Sequence, residues 1–598
     1  MKNQRFILWL LLLPFTQIVV GQNPQLAKKY FDDAEFDKAI YEYKLLVDKF
    51  PYQDSYVLAL VKSYQAVKKY EEVNKLIKKL HPQRKPQLYV YIGYNYQLQK
   101  DSLNAKKYYQ KAINLGAKKP QFVYSLGAAF QNFYLLDQAL EVYKIAVKQH
   151  NKSNYYVQIA QIYAEKGDLD QMIANYLTLT EVNAAYESRI KYYLAQFITQ
   201  DPEHKVNIIL KNQLVERISQ APKTKWYRLL HWLYVQQKEY KKAFFQLKSL
   251  YRKNEAEISE IYHLAQTANY GKKQDEAIVI YRFVIDQATE DDVYYQELSK
   301  LALLKLDMSK ILSPEFKQNI HKTFEQYRLA DWSLKNKISL DLLYADFVAF
   351  HLKNPAKAIA ILGDLEKMPM SKSVKASVLL KKADILLYNM RFSQALILYT
   401  QVQLDFPNNE IGHNATFKIA QASFFQGDID WAHAQLKVVK SVSSDFIAND
   451  AIDLDLIIIN NKEEADTLQL GLKKFAKAKF EIFRKNPKKS LIILDTLTQN
   501  FKGQLIYDDA LWTRAQIFEQ TKSFTNALQD YEAIQENKTE DLYKDDALYR
   551  MAEIYHLYLN NEMKAKELYK KIIIDYPASF WFVDARSNYR KLRGDSID

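Results

Sequence analysis

Ten histidines are the residues best suited to metal or acid-base chemistry, and their spacing speaks against both. They are His81, His150, His204, His231, His263, His321, His351, His413, His433 and His556. None sits in a His-Glu-x-x-His pattern, which would put two imidazoles on one helical face, and no pair has an acidic partner at metal-ligand spacing. Cysteine is absent, which removes disulfides, thiolate metal sites, cysteine nucleophiles and a lipid-bearing N-terminal cysteine. No Gly-x-Gly-x-x-Gly, Walker-type loop or Gly-x-Ser-x-Gly occurs, so nothing is laid out to cradle a phosphate or to raise a serine nucleophile. Asp453 and Asp455 are two apart, and on a helix that spacing aims them at different faces. No catalytic residue, metal ligand or cofactor is therefore expected, and an enzyme of unrecognised type is only the residual alternative.

The elements that would have to position any site are set by length and composition. A chain of 598 residues needs several domains or an extended repeat array. It has only 12 Gly and 14 Pro, far below the usual ~7% and ~5%, which leaves little room for hairpins and turns. Tyr, by contrast, reaches 45. The fold class expected is all-α.

A repeat of about 34 residues runs through the chain. Its clearest unit is Leu88-Tyr-Val-Tyr-Ile-Gly-Tyr-Asn-Tyr96 followed by Leu103-Asn-Ala-Lys-Lys-Tyr-Tyr-Gln-Lys-Ala112. The next is Phe122-Val-Tyr-Ser-Leu-Gly-Ala-Ala-Phe130 followed by Leu136-Asp-Gln-Ala-Leu-Glu-Val-Tyr-Lys-Ile-Ala146. Gly93 and Gly127 stand where two helices cross, and Ala105 and Ala139 face them. Tyr109 and Tyr143 lie one helical turn beyond. The second-helix small position recurs at Ala39, Val73, Ala105, Ala139 and Met172, spaced 34, 32, 34 and 33, then at Ala243, Ala277, Ala358, Ala395, Ala432, Ser490, Ala527 and Ala565. Four residues on there is always a large apolar or aromatic residue: Tyr43, Ile77, Tyr109, Tyr143, Tyr176, Leu247, Tyr281, Leu362, Tyr399, Leu436, Leu494, Tyr531 and Tyr569. His231 falls at the first-helix small position, so packing is its expected role. Pro51, Pro407 and Pro577 close their repeats, and Gly167-Asp168 and Gly427-Asp428 mark turns inside hairpins.

These motifs resemble the tetratricopeptide repeat. The resemblance implies a right-handed superhelical solenoid of helix-turn-helix units, each burying its faces only against its neighbours. Three sections are expected: an N-terminal array over 22–200, an irregular helical region over 201–373, and a C-terminal array with a capping helix over 374–598. Irregularity shows as long gaps between anchors. A degenerate repeat is expected near Val206, and a helix start at Leu312-Ser-Pro-Glu315, with Ser313 as cap. From about Val374 onward the style changes, with Asp405-Phe-Pro-Asn-Asn409 leading into Ala415-Thr-Phe-Lys-Ile-Ala420 and Asp575-Tyr-Pro-Ala-Ser579 into Asp584-Ala-Arg586. There it resembles repeats of bacterial envelope proteins of the BamD and CpoB type. The lipidated cysteine that anchors BamD-type proteins has no counterpart here.

The first residues read as an address. Lys2 and Arg5 precede an uncharged apolar run from Phe6 to Val20, ending in Val19-Val20-Gly21 before Gln22. Fifteen residues fall short of the roughly 20 that span a bilayer. A cleaved signal peptide over 1–21 is expected, with an uncleaved anchor as the alternative, and no transmembrane span in the mature chain. Export to a periplasm, with outer-membrane association through partners, follows as the expected location. The net charge of +14 is spread over pairs such as Lys68-Lys69, Lys78-Lys79 and Lys488-Lys489. Such pairs commonly just solvate a surface. The sharper alternative is a tether to cell-wall or lipid anions. Nucleic acid is not expected.

In tetratricopeptide proteins the first helices line a groove. Carried over by position, the groove candidates are Gln87, Tyr94 and Gln97 in one repeat, Tyr124 and Gln131 in the next, and Asn154 and Gln161 in a third. Amides can pair with a peptide backbone, and Tyr gives contact area at low entropy cost. The same residues could instead simply pack between helices. A non-enzymatic scaffold for a protein or peptide partner, within an envelope complex, is the function the sequence favours.

Overall fold

The computed structural model describes residues 24–83, 85–310, 313–440, 446–462, 468–537 and 542–595. The segment 1–21, read as an export signal, lies outside them. Among the described residues the chain is helical throughout, with no strand. It divides into two compact units, one ending at Ile280 and one beginning at Tyr281.

In the first unit helices pair in chain order: Gln87–Leu98 with Ser102–Lys118, Val123–Asn132 with Leu136–His150, and Tyr156–Glu165 with Leu169–Val182. In the second the same pairing holds for Lys372–Tyr388 with Phe392–Asp405, Glu410–Gln426 with Ile429–Lys440, and Ile506–Gln520 with Phe524–Glu536. The reason lies in the thirteen anchors. All lie on second helices and none is more than 4% exposed; the large residue four places on is never more than 6% exposed. Small residues let the backbones close, and the ring one turn away fills the flank. At Gly93 and Gly127 the approach is close enough that a Cβ there would run into the rings of Tyr109 and Tyr143.

Helix ends follow local chemistry. Asp168 caps Leu169–Val182 by accepting from the Gln171 amide at 3.1 Å, and Ser313 caps Pro314–Leu329 through the Phe316 amide at 3.2 Å. Helices stop at Lys49, Asp405 and Asp575, two residues ahead of Pro51, Pro407 and Pro577. Hairpin turns pass through the left-handed region. Gly167 (φ 74°) and Gly427 (φ 86°) supply it as expected, but Lys68, Lys100, Lys272 and Lys522 adopt it too, at φ 59–63°. Each such residue costs about 1 kcal/mol relative to glycine. Scarce glycine thus reflects lysine-bearing turns as well as helix content.

The irregular stretches also resolve. Val206 is buried at the start of Lys205–Gln220, preceded by the short helix Glu187–Leu194. Between Ala277 and Ala358 the helices Val293–Met308, Pro314–Leu329 and Leu334–Asp346 fill the gap. Between Ala432 and Ser490 an extra helix, Phe446–Asn460, is inserted. On it Asp453 is exposed, whereas Asp455 is 1% exposed and accepts from His433 Nδ1 and Lys440 Nζ, each at 2.5 Å. The two carboxylates face apart, as their spacing implies. The tail forms the helix Phe582–Arg593, where Arg590 and Arg593 pair with Asp595. No helix among the described residues is long and apolar enough to cross a membrane.

Candidate partner-binding surface

The seven groove candidates do not share one environment. Gln87 is buried, and its Nε2 donates to Asp54 Oδ2 at 2.9 Å, with Lys85 Nζ on the other oxygen at 2.8 Å. Its amide is therefore engaged in joining its repeat to the one before. Tyr94 is half-buried, and its ring stacks on Phe133 with centroids 4.3 Å apart at 26°. Gln97 is exposed, but its Oε1 accepts the Tyr109 phenol at 2.9 Å. Gln131 is half-buried and accepts the Tyr143 phenol at 3.3 Å. Burial pushes both phenols well above the usual tyrosine range, so they stay protonated donors. Tyr124 (61% exposed), Asn154 and Gln161 present their side chains to solvent from consecutive first-helix regions.

Packing and accessibility thus divide the candidates. The amides at the ends of the first helices, Gln97 and Gln131, are recruited by the tyrosine of their own hairpin. Gln87 and Tyr94 are engaged by Asp54 and Phe133, and Tyr124, Asn154 and Gln161 are left open. Their amide and phenol groups can donate and accept to an extended backbone, and the Tyr124 ring supplies exposed apolar area.

A cation near this surface was not legible from repeat position. Lys62 Nζ lies 5.6 Å from the Phe133 ring centroid, and Phe133 also receives Tyr91 edge-on at 5.6 Å. Burial lowers the Lys62 pKa. Phe133 falls in a turn and Lys62 two hairpins earlier, so no local spacing joins them.

Three of the histidines make packing contacts. His231 Nδ1 meets the Ala243 carbonyl at 3.1 Å and burial lowers its pKa, in keeping with a packing role. His150 Nε2 meets the Ala117 carbonyl at 2.8 Å, and His351 stacks on Phe347. Among the described residues no three His, Asp or Glu side chains are grouped to hold a metal ion. In several of the lysine pairs one member faces a carboxylate: Lys69 pairs with Asp37 at 2.8 Å, Lys79 with Asp48 at 2.9 Å and Lys489 with Glu481 at 3.1 Å.

Comparison with known proteins bears on the repeats alone. No curated protein matches the chain. The crystal structure of yeast Tom70 is 14% identical and aligns over 83% of this chain and 98% of its own, with a TM-score of 0.29. The Cut9–Hcn1 hetero-tetramer of the APC/C gives 11% identity over 90% and 96% at a TM-score of 0.24. Naa15/Naa10 bound to HypK-THB gives 14% over 95% and 96% at 0.25. Superpositions at that level carry no argument. One tetratricopeptide-repeat family model matches residues 86–117 and 153–186, and another matches 546–579. The first two segments hold Gln87, Tyr94, Gln97, Asn154 and Gln161. The chain therefore carries tetratricopeptide repeats in both of its units, and the candidate surface is built on two of them.

Proposed function

We propose that the chain is a non-enzymatic scaffold, exported to the cell envelope, that binds a protein or peptide segment along the first-helix surface of its N-terminal unit. One observation carries the reading: Tyr124, Asn154 and Gln161 stay exposed on consecutive first-helix regions, whereas Gln87, Tyr94, Gln97 and Gln131 are engaged by neighbouring side chains. Tetratricopeptide repeats support a protein-binding role. The run from Lys2 to Gly21 supports export, and the style of the C-terminal repeats supports an envelope setting. A purely electrostatic tether is less favoured, because several of the lysine pairs already face carboxylates.

The binding reading is tested by capture from native envelope extracts on the immobilised chain, with the Tyr124→Ala, Asn154→Ala, Gln161→Ala triple variant alongside. Loss of a discrete partner in the triple variant supports the surface; unchanged capture removes it. Export is tested by N-terminal sequencing of the mature protein from fractionated cells, with Gln22 as the expected first residue and an intact Met1 in the cytosol as the contrary result.

A further inference from the structure

The second unit holds a cleft of different chemistry. Asp453, Asp509 and Asp546 come from three helices, Phe446–Asn460, Ile506–Gln520 and Lys544–Glu553, and line one cavity of about 410 Å³. Trp512 forms a wall, held between Tyr531 at 5.4 Å and Tyr543 at 5.2 Å, the latter parallel within 6°. Asp509 accepts from Tyr543 OH and Asn461 Nδ2, each at 2.7 Å, and Asp546 accepts from Trp581 Nε1 at 2.6 Å. These are neutral donors and bring no compensating charge of their own, while burial raises the pKa of both Asp509 and Asp546. Asp453 makes no hydrogen bond or ion pair among the described residues.

Among the described residues Lys479 is the one cation that lines the cavity. It too makes no hydrogen bond or ion pair among the described residues. Protein surrounds it closely enough that desolvation lowers its pKa, although Asp509 and Asp453 act in the opposite direction. Its Nζ lies 5.9 Å from the Phe475 ring centroid and has no hydrogen-bond acceptor among the described residues, so an acceptor from outside would satisfy it. The cleft therefore offers one donor seeking an acceptor and an excess of carboxylates seeking a cation. A peptide supplies both, a carbonyl from its backbone and a cation from its side chain.

A second cavity of about 570 Å³ adjoins the first and shares Trp512, Gln516 and Asp546 with it. Arg550 there is already held by Glu519 and Glu553, so its charge is spent within the protein. Two adjoining cavities suit an extended segment better than a small ion. The chain as a whole carries +14, so a basic ligand is repelled by the general surface and drawn only to a local acidic patch.

We propose that this cleft binds an extended peptide segment of a partner protein bearing a lysine or arginine. The basic side chain lies along the Trp512 wall against Asp453 and Asp546, and a backbone carbonyl accepts from Lys479. Rigid aromatic walls give contact area at low entropy cost, and the carboxylates give charge selection. The surface is separate from the one proposed for the first unit and stands or falls independently of it.

The test uses the full chain and three fluorescein-labelled, end-blocked peptides of about nine residues: alternating Ser with Lys or Arg, and the same frame with Gln or with Glu. Fluorescence anisotropy should show the basic peptide binding at least about tenfold more tightly than the Gln and Glu versions. The Asp453→Asn, Asp546→Asn double variant should lose about tenfold for the basic peptide. Asn keeps an acceptor for Trp581, and an unchanged thermal melt verifies folding. Lys479→Ala should weaken binding of all sequences that still bind, because its role is to the backbone. The Tyr124→Ala, Asn154→Ala, Gln161→Ala variant should bind the basic peptide as wild type does. Equal binding of the Gln peptide, preference for the Glu peptide, or full retention by the double Asp variant would each overturn the proposal.

Discussion

The Tyr109 phenol donates to Gln97 Oε1 across its hairpin, and one repeat later the Tyr143 phenol does the same to Gln131. Each bond joins the last turn of a first helix to the buried ring of the second. Two residues positioned to face a partner are thereby tied to the scaffold, and the available surface shifts toward Tyr124, Asn154 and Gln161.

A stability difference follows. Tyr143 is fully buried, so Gln131→Ala leaves its hydroxyl without a partner and should cost about 1–3 kcal/mol in urea denaturation. Tyr124→Ala removes an exposed ring and should stay within about 0.5 kcal/mol of wild type. Equal losses would show that the phenol–amide bonds are not what distinguishes these positions.

The helix crossing makes a second expectation. Gly127→Ala places a Cβ against the Tyr143 ring, which is packed on all sides. Overpacking of this kind costs about 1–3 kcal/mol. Gly363, whose Cβ position is open, serves as control: Gly363→Ala on the helix Pro355–Leu365 should be neutral or stabilising by up to about 1 kcal/mol. Denaturant midpoints of the two variants decide the matter.

The repeat itself was legible because its cause is local. An anchor, in most repeats small, and a large apolar or aromatic residue four places later sit on one face of one helix, and all thirteen such pairs are buried. The candidate surface was legible only in part. Repeat position assigns a side chain to a face, but whether Gln87 reaches Asp54 or Gln131 is taken by Tyr143 depends on the neighbouring helix. The C-terminal cleft left no trace in the sequence, since Asp453, Lys479, Asp509 and Asp546 come from four helices with no common spacing. Asp453 drew notice only as a neighbour of Asp455.

His231 supplies a pH dependence. Burial holds its imidazole below the ordinary 6.5, so between its folded pKa and 6.5 the unfolded chain binds a proton that the folded chain does not. Stability should therefore fall as pH drops below about 6.5, by up to about 1.4 kcal/mol per pH unit from this group. His351 is shifted the same way by burial and adds to the slope. His231→Gln keeps a donor for the Ala243 carbonyl and should flatten the dependence between pH 7 and pH 5.5. An unchanged slope would show that His231 does not carry it.

Site-specific photocrosslinking tests the central claim most directly. A photoreactive phenylalanine analogue is placed at Tyr124, at Gln161 and, as control, at Leu103, which is 82% exposed on the second helix Ser102–Lys118. Irradiation of native envelopes should give a discrete adduct of the same mass at Tyr124 and Gln161 and none at Leu103. Adducts at Leu103 alone, equal adducts at all three positions, or none at any would contradict a partner-binding surface on the first helices.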